Sequence, residues 1–336
     1  YARLLALESE ADRGDTYTFA PDDDDPEVMS WSDLRTTAEG PLVGALELRG
    51  ELRAGAVRAR LTLALHAGSP LLRCTLELEN RATDHRLRVR LPTGVRGDVS
   101  VAGGPFGAVR RELRPLSPAK YPRETPVATA PAHRFVATAD RRGGLAVLTP
   151  GFFEYEYQGD GDLLVTLLRC VGQLSREDLA TRPGHAGWPV ATPAAQCLGR
   201  ERLQLALAPV SARDLDRVSP VAELWEDAFV PPRAIWLRQA TALDPPPIDI
   251  RLEGEGLVFS SLKPAEEGAR RLVFRCYNGT GQAVGGRVVV GSGLVAAARA
   301  RADERELERL DVDDGGTVVR FTARAQEIVT LLLEHG

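Results

Sequence analysis

Two segments of the sequence carry side chains of the kind that recognise a polar substrate. The first, Asp12-Arg13-Gly14-Asp15-Thr16-Tyr17-Thr18-Phe19-Ala20-Pro21, sets Tyr17 and Phe19 two residues apart, as if on one face of a strand, bracketed by acids and closed by proline. The second, Leu167 to Gly199, places Arg169 at the end of an apolar strand pattern, followed by a long irregular stretch with Arg176, Arg182, His185 and Trp188. Arginine beside tryptophan suits a polyol, by guanidinium hydrogen bonds and ring stacking, and long loops at sandwich ends are common binding sites. Residue types alone also fit a plainer reading, with Tyr17 on a sheet face and Arg169 in a structural ion pair.

The remaining sequence nominates no catalytic machinery by spacing. HExxH, P-loop, GxSxG and helix-opening GxGxxG patterns are all absent. The five histidines, His66, His85, His133, His185 and His335, are scattered. A calcium loop needs spaced oxygen ligands and a turn glycine, so the run Asp22 to Asp25 reads as a solvated loop. No pair among the 47 acidic residues stands out as the carboxylate couple of a glycosidase. Cys74, Cys170, Cys197 and Cys276 lie far apart with no CxxC, so they read as small buried apolar residues rather than zinc ligands.

The elements that must position these side chains are strands. Apolar and charged residues alternate with period two in Leu46 to Arg49, Val57 to Leu65, Leu72 to Glu79 and Leu87 to Leu91, and turn residues such as Ala67-Gly68-Ser69-Pro70 separate them. Further strands are expected at 135–137, 145–148, 154–157, 163–168 and 203–207. Beyond these, 257–259, 272–275, 287–290, 318–321 and 328–333 complete a second set. Pro105 to Pro131 reads as a long loop crossing a sheet, and Ala296 to Leu310 as a helix or a charged strand. Asp244-Pro245-Pro246-Pro247 suggests an extended linker. Many short strands with tight turns imply antiparallel sandwiches. A net charge of -5 with both signs interleaved argues against a nucleic-acid groove or an anionic membrane surface, and no 18-residue apolar run spans a bilayer. Tyr1 opens without a basic leader or signal-peptide core, and because residue 1 is not a methionine a piece cut from a longer chain is expected.

The GDTYTFAP stretch resembles the Tyr-x-Phe-x-Pro motif of glycoside hydrolase family 38, the retaining α-mannosidases. Asn80-Arg81 with Asp84-His85-Arg86-Leu87-Arg88-Val89 is similar to that family's NxxxDHRLR strand. Gly151 to Glu156, Leu163 to Leu179, Arg182 to Trp188 and Thr192 to Gln196 resemble its bacterial branch, and Leu262 to Glu266 and Arg275 to Asn278 its final sandwich.

The resemblance implies an all-β chain, a galactose-mutarotase-like supersandwich (residues 1–241) followed by a smaller C-terminal β-sandwich (residues 242–336). It also implies that zinc and the aspartate nucleophile sit in an N-terminal catalytic domain outside this chain, leaving the chain inert alone. Its partners would be that domain and an α-mannoside. The resemblance assigns substrate contacts to Tyr17 and Arg169. With the loop reading above, Arg182, His185 and Trp188 complete the candidate substrate-binding set. A cytoplasmic location and self-association into a homo-oligomer are further expectations.

Two competing readings are a free-standing carbohydrate-binding or structural sandwich, which would want a flat aromatic platform, and a mutarotase-like enzyme. The latter would need His85 or His133 facing a carboxylate on the concave sheet.

Overall fold

The computed structural model describes residues 5–22, 24–113, 117–232, 236, 249–268, 270–291, 293–313 and 315–336. The chain forms two compact units. The first comprises Tyr1–Ala102 and Arg110–Ala212, and the second Gly103–Val109 and Arg213–Gly336. The proline-rich stretch 242–248 lies outside the described residues.

In chain order the first strands are β1 (Ala6–Ala11), β2 (Glu27–Val28), β3 (Ser30–Glu39), β4 (Val43–Leu52), β5 (Val57–His66), β6 (Leu72–Asn80), β7 (His85–Pro92), β8 (Val99–Gly104) and β9 (Gly107–Glu112). Then follow β10 (Thr129–Pro131), β11 (Phe135–Asp140), β12 (Gly143–Leu148), β13 (Glu154–Tyr157), β14 (Asp162–Cys170), the two-residue strands β15 (Asp178–Leu179) and β16 (Arg182–Pro183), and β17 (Gly199–Val210). They make a six-stranded sheet, β10-β13-β14-β7-β1-β2, and a nine-stranded sheet, β3-β4-β5-β6-β17-β12-β11-β8-β9; β15 and β16 pair as a small hairpin. The described pairings between named strands are antiparallel.

Period-two alternation turns one side of each strand inward, and those sides form one core. Leu61, Cys74, Leu76, Leu87, Val89, Leu91, Leu163, Val165 and Leu207 all belong to it. The opposite side of β7 carries Arg86, Arg88 and Arg90, which pair with Glu8, Glu10, Glu156 and Asp162 from the neighbouring strands.

Helices α1 (Ala212–Arg217) and α2 (Ser219–Phe229) precede the second sandwich. Its strands are β18 (Ile250–Glu253), β19 (Leu257–Pro264), β20 (Arg271–Asn278), β21 (Val284–Val290), β22 (Leu294–Ala300), β23 (Glu306–Leu310), β24 (Val318–Ala323) and β25 (Ile328–His335). A three-stranded sheet, β18-β21-β24, and a five-stranded one, β19-β20-β25-β22-β23, share a core containing Phe274, Cys276, Val288, Phe321 and Leu331. The fold is the all-β pair of sandwiches expected from the sequence.

Three local expectations change. Pro105 to Pro131 contains two strands, β9 and β10; both lie at sheet edges, where exposure blunts the alternation that would reveal them. Ala296 to Leu310 is not helical: β22 pairs with β23 and β25, so tertiary pairing outweighs the helix propensity of its alanines. Residues 12–21 form a turn and not a strand, so Tyr17 and Phe19 do not share a strand face. The cause is local: the Asp12 and Asp15 carboxylates capture backbone N–H groups that a ladder would otherwise use.

Candidate functional site

The site begins with two Asx-type turns. Asp12 Oδ1 accepts from the Gly14 N–H (2.9 Å) and the Ala20 N–H (3.2 Å), while the Arg13 N–H reaches the Ala20 carbonyl at 2.8 Å. Asp15 Oδ1 accepts from the Tyr17 and Thr18 N–H groups at 3.0 and 2.9 Å, and the Asp15 N–H closes the turn on the Thr18 carbonyl. The turn is tight enough that a Cβ on Gly14 would stand 1.9 Å from the Thr18 carbonyl oxygen, so glycine is required for space.

The loop after β14 folds back on itself. Val171 N–H bonds the Ala195 carbonyl, Thr192 N–H the Gly172 carbonyl, Leu174 N–H the Val190 carbonyl, and Gln173 bridges Ala191. The turn is fastened to this loop by the Thr16 N–H on the Gln173 carbonyl (3.2 Å) and the Thr16 hydroxyl on the Leu174 carbonyl (2.7 Å). Ser175 Oγ, buried, accepts from the Ala186 and Gly187 N–H groups and so fixes the segment that carries Trp188.

Three of the five candidate residues, Tyr17, Arg169 and Arg182, converge on this turn. Tyr17 is 55% exposed at the apex, and its ring lies against Gly187, where an added Cβ would be 2.7 Å from the phenol oxygen. Arg169, near the end of β14, donates Nε to Asp12 Oδ2 (2.9 Å), Nη2 to the Asp15 carbonyl (2.6 Å) and Nη1 to the Thr16 carbonyl (3.3 Å). Arg182 on β16 is buried. Its Nη2 meets Asp15 Oδ2 (2.6 Å) and the Arg176 carbonyl (2.9 Å), its Nη1 meets Thr18 Oγ1 (2.6 Å) and Asp15 Oδ1 (3.4 Å), and its Nε meets the Gly184 carbonyl (3.3 Å). These five contacts match the five N–H groups of a guanidinium. Trp188 follows Gly187 directly and is 78% exposed. His185 makes a half-exposed pair with Glu177 (3.2 Å).

Burial pushes the Asp15 carboxyl up, but the Arg182 guanidinium and the N–H groups of Arg176, Thr18 and Tyr17 outweigh it, leaving the group below the ordinary aspartate value. Asp15 is thus a buried anion at neutral pH, matched by one buried cation. Among the described residues no group of three or more His, Cys, Asp and Glu side chains is disposed to hold a metal ion, so they offer no ligand set for the zinc that the resemblance implies.

The sequence reading passed over Asp12, Asp15, Thr18, Ser175 and Glu124, whose carboxylate accepts from the Thr18 hydroxyl at 2.6 Å. Asp-x-Gly at 12–14 and Asp-x-x-Thr at 15–18 were the available signals, since both spacings suit side-chain capture of a nearby N–H. His85 also departs from its mutarotase-like reading. It points between the sheets, with Nδ1 on the Ser9 hydroxyl (3.0 Å) and Nε2 on Asn80 Oδ1 (3.3 Å), fully buried and away from any substrate.

Two antiparallel sandwiches in series, the larger bearing this polar cluster on its loops, define a chain of β-sandwich domains. The chain belongs to glycosyl hydrolase family 38: residues 2–174 match the model of the family's C-terminal domain and residues 256–331 that of its C-terminal beta sandwich domain. It is 29% identical over 281 residues to a Halalkalibacterium halodurans protein named "Putative mannosylglycerate hydrolase", covering 83% of this chain and 29% of that protein. Its fold is similar to that of a family 38 protein from Enterococcus faecalis (TM-score 0.77, 20% identity, 98% of this chain and 40% of that one). An α-mannosidase from Enterococcus faecalis V583 is also similar (TM-score 0.75, 20% identity, 98% and 38%). The chain therefore spans less than half the length of these relatives.

Proposed function

We propose that this chain forms the C-terminal β-domains of a retaining α-mannosidase and completes its mannose pocket, with zinc and the nucleophile supplied by residues outside it. The observation that carries the reading is Arg169 of β14 bonding the Asp15 and Thr16 carbonyls of the turn that carries Tyr17, within a chain that matches family 38 models in both sandwiches. Tyr17, exposed and backed by Gly187, presents its hydroxyl to the sugar. Arg169 is held beside it by Asp12 and the Asp15 and Thr16 carbonyls. Trp188 offers an apolar face at the rim for the part of the substrate beyond the mannose, and His185 lies further out. Arg182, with its donors engaged inside the chain, supports the pocket rather than touching the sugar.

In the same reading the substrate is an α-mannoside of carbohydrate metabolism, the enzyme is cytoplasmic, and it self-associates. No described helix is long and apolar enough to cross a membrane.

Hydrolysis of p-nitrophenyl α-mannoside with added zinc tests the reading. The chain extended upstream through the expected catalytic domain should be active and the chain alone inert; zinc-dependent turnover by the chain alone would place the chemistry elsewhere. In the extended enzyme, Tyr17→Phe should lower kcat/KM by about 5- to 150-fold, the equivalent of roughly 1–3 kcal/mol for a lost hydrogen bond to a buried partner. Unchanged turnover would remove Tyr17 from the pocket. Gly187→Ala should push the Tyr17 ring aside and reproduce much of that loss, with a melting temperature within a few degrees of the parent because the displaced ring is exposed.

A further inference from the structure

The site contains two fully buried carboxylates, Asp12 and Asp15, and of the two it is Asp15 that ties its own turn to the 176–182 segment. Asp15 divides its two oxygens between two segments distant in sequence. Oδ1 faces its own turn, on the Tyr17 and Thr18 N–H groups. Oδ2 faces the hairpin after β14, on the Arg176 N–H (2.7 Å) and Arg182 Nη2 (2.6 Å). Arg182 also donates to Thr18 Oγ1, whose hydroxyl passes on to Glu124, and the Thr125 N–H bonds the Thr181 carbonyl, so a third segment is tied in.

We propose that Asp15 is a positioning residue, a latch that holds the Tyr17 turn and the Arg176–Gly187 loop together so that Tyr17 and Gly187 stay in contact. This inference rests on the pocket assignment of Tyr17 made above.

The physical case is one of alternatives. If the latch opens, Arg182 is left as a buried cation without its carboxylate, and Asp15 as a buried anion without its fork, both costly states. The turn and the hairpin can separate only by passing through them, so the closed arrangement is strongly favoured. The Asp15 and Thr16 carbonyls that hold Arg169 belong to the same turn, so the latch also sets Arg169.

Asp15→Asn discriminates, because an amide oxygen kept at Oδ1 still accepts from Tyr17 and Thr18 and keeps the long 3.4 Å contact from Arg182 Nη1, whereas an NH2 at Oδ2 cannot accept from the Arg176 N–H or from Arg182 Nη2. Hydrogen exchange on the chain should show amides 176–187 opening at least tenfold more readily in Asp15→Asn, with amides 72–78 of β6 unchanged. In the extended enzyme, Asp15→Asn should cost tenfold or more in kcat/KM, and Asp15→Asn/Tyr17→Phe should be no worse than the worse single variant, because opening the latch already removes what Tyr17 contributes. Additive losses, or unchanged exchange at 176–187, would overturn the latch. Thr18→Val, which removes one arm without stranding a charge, serves the same comparison should Asp15→Asn not fold, with smaller changes of the same kind expected and their absence counting against the latch. If Tyr17→Phe alone leaves activity intact, the pocket assignment fails, and the exchange result still decides whether the latch exists.

Discussion

Arg86→Ala is expected to destabilise the first sandwich by about 3–5 kcal/mol, the usual consequence of removing one partner from a buried charged network. Arg86 is 3% exposed on β7, where it faces Glu10 of β1 in register and Arg169 of β14 on the other side. Its Nε and Nη2 lie 2.9 and 2.8 Å from Glu10 Oε1, and Nη1 lies 3.5 Å from Glu154. Arg88 shares the same glutamate at 2.9 Å. Burial lowers the Arg86 pKa and neighbouring Arg88 lowers it further, with Glu10 and Glu154 opposing; a guanidinium starts so high that it stays charged at neutral pH. Truncation would leave Glu154 with the Thr166 hydroxyl and would strip Phe19 of the cation 3.6 Å from its ring centre. Phe19 belongs to the motif that carries Tyr17, so the loss reaches the site. Urea unfolding measures the effect, and Arg86→Lys, which keeps the charge but not the fork, should fall between. A loss under about 1 kcal/mol for Arg86→Ala would mean that the ladder is not what holds this face.

The second large effect is acid lability through His85. Burial, reinforced by nearby Arg53, pushes its imidazole down to about 4 from the ordinary 6.5. The ring is enclosed in a directed chain: Arg53 Nε donates to Ser9 Oγ (2.7 Å), the Ser9 hydroxyl to Nδ1, and Nε2–H to Asn80 Oδ1, while Asn80 donates to the Cys197 carbonyl (3.1 Å). Each nitrogen has a fixed role only in the neutral ring, because a proton on Nδ1 would face a hydroxyl whose oxygen must then turn round. The native state therefore resists protonation while the unfolded chain accepts it below pH 6.5. The contribution is full above pH 6.5, declines as pH falls, and is gone near pH 4, a total of about 3 kcal/mol for a shift of this size. Denaturation midpoints of the chain and of His85→Gln, compared between pH 7.5 and 4, isolate it, since carboxylate contributions are common to both. The variant should be weaker at neutral pH and converge with the parent towards pH 4; parallel curves across that range would show that His85 does not titrate as its surroundings demand.

Much of the architecture is legible in the chain itself because strand alternation reports a local fact, the side on which each residue meets water. Val57 to Leu65 and Leu72 to Glu79 could be placed in this way, and β5 and β6 pair from Val57 opposite Asn80 to Leu65 opposite Leu72. The readings failed where that signal is weak. Edge strands β9 and β10 hold no buried residue, and the alanines of β22 left helix and charged strand both open until pairing with β25 decided for the strand. The helix Ser219–Phe229 carried a readable sign in the proline of its first turn, which the strand-dominated surroundings obscured.

What the sequence by itself determined is the class of fold and the two segments where a site would form, since turn chemistry at Asp12-x-Gly14 and strand periodicity at 162–170 are set by neighbours along the chain. Only the tertiary structure decided which groups in those segments meet. Asp15 and Arg182 stand 167 positions apart, and nothing in their local sequence distinguishes a solvated aspartate from a buried one. Their pairing, the engagement of Arg182's donors inside the chain and the exposure of Tyr17 against Gly187 follow from how the sandwich brings its end loops together. Long-range contacts of that kind are properties of the packed whole, and no window of sequence contains them.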